Sequence, residues 1–501
     1  MPGPTSPSRV LGGRRRRSFA SIGAAAVLAV SIDGRAEAQD APTDPPPSVL
    51  LIVTDDQRWD TLWAMPEVQR SLVGPGVTFS NAFTTSSLCC PSRASILTGA
   101  YPHTTGVYTQ ALPFGGFKVF DDSTTIATEL ARAGYRTGYF GKYLDSFQSD
   151  ALAGYVPPGW DRWVAFVHSQ YFDYALTVDG TIEDHGYAAE DYSTDVLASE
   201  TETFIRSSEG PIFAVFAPAA PHAPATPSPR DEALFGDLAA WSPSAFDEAD
   251  VSDKPRYVRA LRPLGVSRSV DLEELRRNQY RSLQAVDRAV GRLVDALEDT
   301  GRLDDAIVIY TTDNGLLWGE HRWLKKEVPY EEAIRVPLVI RADAMASTGD
   351  DAHLVANIDL APTIAEAAGV GLPGADGASL LPLLRGETVP WRTALLIEHV
   401  RATNPVPTYC AVRTAHELFV RYETGERELY DLRTDPGELD NLAGRRPVLQ
   451  ARVETILHGL CDPPPPGYAN GGGVVVMVLA LAGTLVLAAV SRRGLARSGH
   501  R

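Results

Sequence analysis

Two short sets of oxygen-bearing side chains, Asp55-Asp56 and Asp313-Asn314, each follow a run of apolar residues. A single acid pair in such a place often only caps a helix, but two sets of the same pattern point to a shared divalent cation. Carboxylate and amide oxygens are hard ligands that suit Ca²⁺ or Mg²⁺, whereas zinc takes His or Cys. Such a cation would gather an anionic substrate and stabilise charge on its oxygens. Lys142, His222, Lys325 and Lys326 are then available for the anion and the leaving group. A further stretch, residues 86 to 99, carries Cys89, Cys90, Pro91 and Arg93 and ends at Gly99. Pro91 marks the first turn of a short helix and Gly99 its stop, which leaves Cys89 just outside the start. A thiol at the positive end of a helix is an activated nucleophile, an anion-site residue or a buried packing cysteine, and its immediate neighbours leave these open.

The elements that position these residues are legible as alternating patterns. Ser48–Thr54, Pro211–Pro218 and Ala306–Thr312 are nearly continuous apolar runs, and a shorter one, Tyr135–Phe140, leads into Gly141-Lys142. Runs of this length read as strands buried on both faces, and hence as a parallel sheet. Helical periodicity over Asp122–Ala133 and Leu272–Asp299 lies between them. The prediction is an α/β fold, a large mostly parallel central sheet flanked by helices, in which ligands bind beyond the carboxyl ends of the strands. Asp55, Asp56, Lys142, His222, Asp313 and Asn314 should converge there. After Trp391 short alternating strands appear at 394–399, 409–414, 417–422 and 428–432, with a helix near Pro447–Leu460. They predict a smaller C-terminal antiparallel sheet plus helix.

The ends read differently from the body. Residues 1–38 resemble an export signal: Arg14 to Arg17, an apolar run from Ala20 to Ile32, and Ala36-Glu37-Ala38. Arg16-Arg17-Ser18-Phe19 is similar to a twin-arginine signal, and an ordinary secretory signal with extra arginines is the alternative. Residues 474–490 are uninterrupted apolar or small residues, enough for a transmembrane segment, and the basic tail 491–501 would lie on the cytoplasmic side. A sorting signal that is cleaved after use has the same appearance. The expected organisation is therefore 1–38 signal, 39–390 catalytic α/β domain, 391–462 antiparallel-sheet subdomain, 463–473 Pro/Gly linker, 474–490 span and 491–501 tail. The body would face outward, at a cell surface or in a periplasm.

Ten of the 46 Lys and Arg and two of the 63 Asp and Glu lie in 1–38 and 474–501, leaving 36 basic and 61 acidic residues and a net charge of −25 between them. That field disfavours nucleic acid and long polyanions. The chain has four cysteines; Cys410 and Cys461 could pair in an oxidising compartment.

Taken together, Cys89-Cys90-Pro91-Ser92-Arg93 and the downstream Thr98-Gly99 resemble the signature of the type I, formylglycine-dependent sulfatases. The resemblance runs from Val49 to about Ala443, through Gly141-Lys142-Tyr143, Thr312–Gly315, Lys326–Pro337 and Glu428–Pro436. Cys89-Cys90, Tyr155–Trp160 and Tyr171–Tyr174 are similar to the N-acetylglucosamine-6-sulfatase and extracellular heparan 6-O-endosulfatase branch. The resemblance implies a sulfuric ester hydrolase acting on a sulfated sugar. Cys89 would be oxidised to formylglycine by a formylglycine-generating enzyme, in the cytoplasm if export is by the twin-arginine route, and its hydrate would be the nucleophile. It also implies that Asp55, Asp56, residue 89, Asp313 and Asn314 hold calcium, with Mg²⁺ possible. Asp313 would act as base and His222 or Lys326 would protonate the leaving alcohol. Lys142 would bind sulfate oxygens and Arg93 would hold the hydrate.

Leu144 stands where many sulfatases have a histidine two places after this lysine, and His321 is a candidate substitute. A basic stretch with Lys254, Arg256, Arg259, Arg262, Arg268, Arg276, Arg277 and Arg281 reads as a solvated face or as a local anion-binding surface. Two alternatives to a sugar sulfatase remain within the pattern: an arylsulfatase or phosphomonoester or phosphonate ester hydrolase using the same groups, and a membrane-tethered glycan-binding protein with a decayed site.

Overall fold

A computed structural model describes residues 46–468. The expected signal 1–38 and span 474–490 lie outside the described residues. Among the described residues no helix is long and apolar enough to cross a membrane.

Ten strands form the main sheet: β1 (Val49–Thr54), β2 (Val77–Phe83), β3 (Arg136–Gly141), β4 (Arg162–Phe166), β5 (Tyr174–Val178), β6 (Thr181–His185), β7 (Ile212–Ala217), β8 (Ile307–Thr312), β9 (Leu338–Arg341) and β10 (Gly349–Ala356). Their order is β10-β2-β9-β8-β1-β7-β3-β4-β5-β6, with the central run from β8 to β4 wholly parallel. The four strands legible in the sequence, β8, β1, β7 and β3, are therefore consecutive neighbours at its centre. All their residues except Arg136 are buried, which is why they read as unbroken apolar runs. The outer strands include antiparallel pairs, and polar segments such as Thr181–His185 and Gly349–Ala356 lack the apolar signature because they lie at the edges.

Alternation along β1 divides the core into two layers. Val49, Leu51 and Val53 pack on the side of the helices Cys89–Thr98 and Leu360–Ala367. Leu50 and Ile52 pack on the side of the helices Ser193–Ser207 and Val266–Asp299. The last of these starts at Val266 rather than Leu272, because its first turns are exposed and carry no apolar period. The helix expected over 122–133 spans Ile126–Arg132, started by a Thr125–Thr128 capping box.

The C-terminal sheet comprises β11 (Ala394–His399), β12 (Tyr409–Thr414), β13 (Glu417–Tyr422) and β14 (Arg427–Asp431), paired antiparallel in that order. One face, with Leu395, Ile397 and Val420, packs on Leu317, Val328 and Ile334; the other, with Leu396, Val412 and Phe419, packs on Val453 and Leu457 of the helix Pro447–Leu460. Cys410 and Cys461 are disulfide-bonded with Cα atoms 6.3 Å apart, which ties β12 to the end of that helix.

Candidate active site

The register of the parallel strands assembles the acidic set. Thr54 of β1 lies opposite Thr312 of β8, so the next residues, Asp55-Asp56 and Asp313-Asn314, emerge side by side from the same sheet edge. The Asp56 N–H donates to Asp313 Oδ1 at 3.2 Å, and Asn314 Nδ2 donates to Asp56 Oδ1 at 2.7 Å. Asp56 holds a backbone φ of 64°, in the left-handed region that a short polar side chain tolerates. From the other side of β1, the loop after β7 comes close enough for Asp55 N–H to donate to Ala220 O at 3.2 Å. That loop carries His222.

The helix Cys89–Thr98 points its start into this cluster and ends at Gly99, whose φ of 71° forms a left-handed cap. Cys89 is the first helical residue, with Leu88 as cap, and not a residue outside the helix as the sequence suggests. Pro91 is accommodated within the first turn, where its missing N–H has no intrahelical partner to lose. Cys89 Sγ lies 3.5 Å from Asp55 Oδ1 and 2.7 Å from Lys326 Nζ. One donor atom each from Asp55, Asp56, Cys89 and Asp313 fit within 4.8 Å of one another, and all four residues are buried.

Three cations face the three carboxylates. Arg93, one turn along the helix, donates Nε to Asp313 Oδ2 at 2.8 Å and Nη1 to Lys142 O at 2.7 Å. Lys142 ion-pairs with Asp55 and Lys326 with Asp56. Lys142 reaches its place because β3 and β7 approach closely at Gly141: a Cβ there would sit 1.9 Å from Ala217 O, the acceptor of the Lys142 N–H. His222 stands at the mouth, 41% exposed at its side chain, with Nε2 3.6 Å from Asp56 Oδ2. Its Nδ1 lies 2.7 Å from Ala223 O; a carbonyl only accepts, so Nδ1 carries the hydrogen and Nε2 faces the acids.

The electrostatics follow from burial and these pairs. Burial alone would raise Asp55, but Lys142, His222, Arg93 and Lys326 hold it well below the usual carboxylate range. Asp313 is displaced upward, by burial and then by the charge of Asp55, against the pull of Arg93. Burial opposes charge on Lys142 and Lys326, yet chiefly Asp55 for the first and Asp56 for the second hold both ammonium groups protonated. Burial pushes the Cys89 thiol well up despite the two lysines, so unmodified Cys89 is no ready thiolate.

Two buried atoms of this site make no hydrogen bond: Asn314 Oδ1, and Arg93 Nη2, which lies 3.9 Å from Asp55 Oδ2. A bare amide oxygen among three carboxylates is an acceptor that a hard cation would satisfy, so the donor set fits the metal that the sequence implies. Nη2, which makes no hydrogen bond, is a donor ready for an anionic oxygen.

All the sequence-predicted groups, Asp55, Asp56, Cys89, Arg93, Lys142, His222, Asp313, Asn314 and Lys326, are thus drawn together. Two clefts open at the site. One of about 460 Å³ is lined by Asp56, His222, Arg268, Leu272, Lys325 and Lys326. The other, of about 420 Å³, is lined by Lys142, Leu144, Gln148, His168 and Gln170. Gln110 lines both and lies 4.0 Å from Cys89 Sγ; nothing in its sequence surroundings marks it.

The structure also places three further features of the sequence. His321 is no stand-in for the missing histidine: it is fully buried, bonded to Glu248 at 2.6 Å and packed against Tyr330 with the rings tilted by 34°. Most of the basic stretch is neutralised within the fold, with Lys254 paired to Glu248 and Asp253, Arg259 to Glu426, Arg276 to Glu273, and Arg277 and Arg281 to Glu274. Only Arg268 of that group lines the cleft. Leu144 is buried at the Lys142 side, so no histidine takes that place.

The comparisons with known proteins agree with this geometry. The sulfatase family model matches residues 47–370, and a model for the C-terminal part of N-sulphoglucosamine sulphohydrolase matches residues 319–459. The chain is 34% identical over 448 residues to the N-acetylglucosamine-6-sulfatase of Capra hircus, covering 79% of this chain and 80% of that one. It is also 34% identical over 369 residues to an extracellular sulfatase SULF-1 homolog of Drosophila melanogaster, covering 70% of this chain but only 33% of the fly protein. A solved structure in complex with its substrate D-glucosamine-2-N,6-O-disulfate superposes with a TM-score of 0.75 at 24% identity, over 84% of this chain and 99% of that one, a likeness of fold. With a family match over well over half its length and a relative this similar along most of its own, the chain belongs to the sulfatase family.

Proposed function

We propose that the protein is an exported sulfuric ester hydrolase that releases inorganic sulfate from a sugar of the N-acetylglucosamine 6-sulfate type. The observation that carries the reading is the meeting of the Cys89 helix start with three buried carboxylates and three buried cations at one sheet edge. The substrate class rests on the names of the relatives, N-acetylglucosamine-6-sulfatase among them. Export is supported by the Cys410–Cys461 disulfide, which suits an oxidising compartment, and by the extracellular relative.

In this reading Asp55, Asp56, Asp313 and Asn314 hold calcium, which supplies charge stabilisation for the sulfate oxygens. Residue 89, oxidised to formylglycine, supplies as its hydrate both an attacking and an expelling oxygen on one carbon. The remaining residues do the positioning and the proton transfer. Arg93 offers Nη2, which makes no hydrogen bond, to the oxygen at position 89. Lys142 and Lys326, both held protonated by their aspartates, flank position 89 and bind sulfate oxygens. Asp313, held through Oδ2 by Arg93, takes the proton of the nucleophile. His222 delivers a proton from Nε2 to the leaving alcohol, since it stands at the mouth whereas Lys326 is locked in a buried ion pair.

The test is sulfate release from a panel of N-acetylglucosamine 6-sulfate, galactose 6-sulfate, nitrophenyl sulfate, nitrophenyl phosphate and a phosphonate ester, with mass spectrometry of the peptide carrying residue 89. Preference for the glucosamine 6-sulfate and an aldehyde at position 89 are expected. Faster turnover of the phosphorus esters, or full activity with an unmodified thiol, would overturn the reading.

A further inference from the structure

A second set of donors lies buried away from the acidic cradle and has no part in the proposed hydrolysis. His321 follows Glu320 in the loop that leads to Lys326, Glu332 sits on the short helix Glu331–Ile334, and Glu438 lies in the turn after β14. One donor atom from each lies within 4.8 Å of the others. His321 and Glu438 are fully buried.

Each of the three keeps one buried polar atom without any hydrogen-bond partner: His321 Nε2, Glu332 Oε2 and Glu438 Oε1. The other atoms of two of them are fixed from behind. Glu248 Oε2 is 2.6 Å from His321 Nδ1, and Glu248 is itself paired with Lys254 at 3.2 Å. A carboxylate so paired accepts, so Nδ1 carries the hydrogen and Nε2 presents a bare lone pair. Glu438 Oε2 accepts the Glu331 N–H at 3.1 Å, which leaves Oε1 as the free oxygen. An imidazole oriented by a carboxylate and offering its second nitrogen is how proteins prepare a metal ligand. Lone pairs with no donor among them repel one another unless a cation or a shared proton lies between them.

We propose that His321, Glu332 and Glu438 form a second metal site, which takes a zinc-class divalent cation and is distinct from the all-oxygen cradle at Cys89. One nitrogen and two carboxylate oxygens match the borderline ligand preference of zinc, whereas the cradle's aspartates and asparagine suit calcium. The ion joins the loop that carries Lys326 to the C-terminal segment at Glu438. It therefore acts as a clamp between the two sequence regions on either side of the site.

The experiment uses the full-length protein, stripped with chelator and reloaded with excess Ca²⁺, then titrated with Zn²⁺ against a chromophoric indicator and, separately, with Co²⁺ followed by visible absorption. One equivalent of Zn²⁺ is expected beyond the calcium, with a Co²⁺ spectrum showing nitrogen ligation. His321→Gln and Glu332→Gln should each weaken Zn²⁺ binding roughly tenfold or more and abolish the rise in Tm that Zn²⁺ gives the wild type. Glu332 is only partly buried, so its neutral isostere keeps the test usable if the His321 variant does not fold. A wild type that takes up no Zn²⁺ in calcium, or uptake unchanged in Glu332→Gln, overturns the proposal and leaves a shared proton or a buried water as the occupant.

Discussion

Two regions of the molecule bury carboxylates completely and treat them in opposite ways. At the edge of the main sheet, Asp55, Asp56 and Asp313 are met by Lys142, Lys326 and Arg93. Under the C-terminal sheet, Glu428 is met by neutral hydroxyls: Tyr330 and Tyr430 donate to Oε1 at 2.8 and 2.7 Å, and Tyr422 donates to Oε2. Burial raises both Asp55 and Glu428, but cations bring Asp55 down below its usual range while the tyrosines leave Glu428 above it. The difference separates a site that stores charge from a core that only satisfies hydrogen bonds. A carboxylate held down by cations, as Asp55 is, is ready to take part in binding a metal, whereas one held up among hydroxyls is a packing device.

The comparison breaks most sharply at its centre. Cys89→Ala removes the atom on which the charged cluster converges, and sulfate release should fall roughly 10⁴-fold or more with little change in Tm. Retained turnover would place the chemistry elsewhere. Lys326→Met leaves Asp56 as a buried charge without its nearest cation, so roughly 3–5 kcal/mol of stability and most of the activity should be lost. Glu428→Gln, the matching change in the neutral region, should leave kcat/KM within about twofold in the same assay, since its cost falls on hydrogen bonds alone.

The neutral region should show its own pH dependence. His399 on β11 is fully buried, and burial pulls it down to about 4 against a weaker upward pull from the Val406 backbone. Its neutral form is the one that folding favours. That stability is complete above the ordinary histidine value near 6.5 and is lost as the pH falls from there toward 4, by up to roughly 3 kcal/mol. Denaturant unfolding at pH 7 and pH 4 should show a smaller drop in His399→Phe than in wild type; equal drops would refute the assignment. The smallest effect concerns the arginines. Replacing Arg259, Arg277 and Arg281 together with Gln should change the salt dependence of turnover by less than about twofold, because each is already paired at the surface. Arg268→Ala, by contrast, should raise KM a few-fold, because that residue lines the cleft.

The candidate site was legible to an unusual depth because each of its parts carries a short-range signal. Apolar runs mark β1, β3, β7 and β8, and the chemically capable residues follow directly at their ends. Cys89, Arg93 and Gly99 lie in one local motif. Gln110 carries no such signal, and the edge strands β6 and β10 are not legible because exposed polar segments look like loops. His321 was misjudged for a related reason: a histidine among polar neighbours gives no sign that its loop folds under Tyr330 and against Glu248.

By itself, then, the sequence determined the strands, the residues at their carboxyl ends and the hard-oxygen character of the cluster, since these depend on hydrophobic periodicity and side-chain chemistry along a few neighbouring positions. Only the tertiary structure decided that Thr54 would lie opposite Thr312, that Cys89 would enter the polar cluster while adjacent Cys90 packed in the core, and that Lys142 would pair with Asp55 and Lys326 with Asp56. Register, helix rotation and long-range ion pairing are set by how distant segments pack, and nothing within a local stretch of chain specifies them.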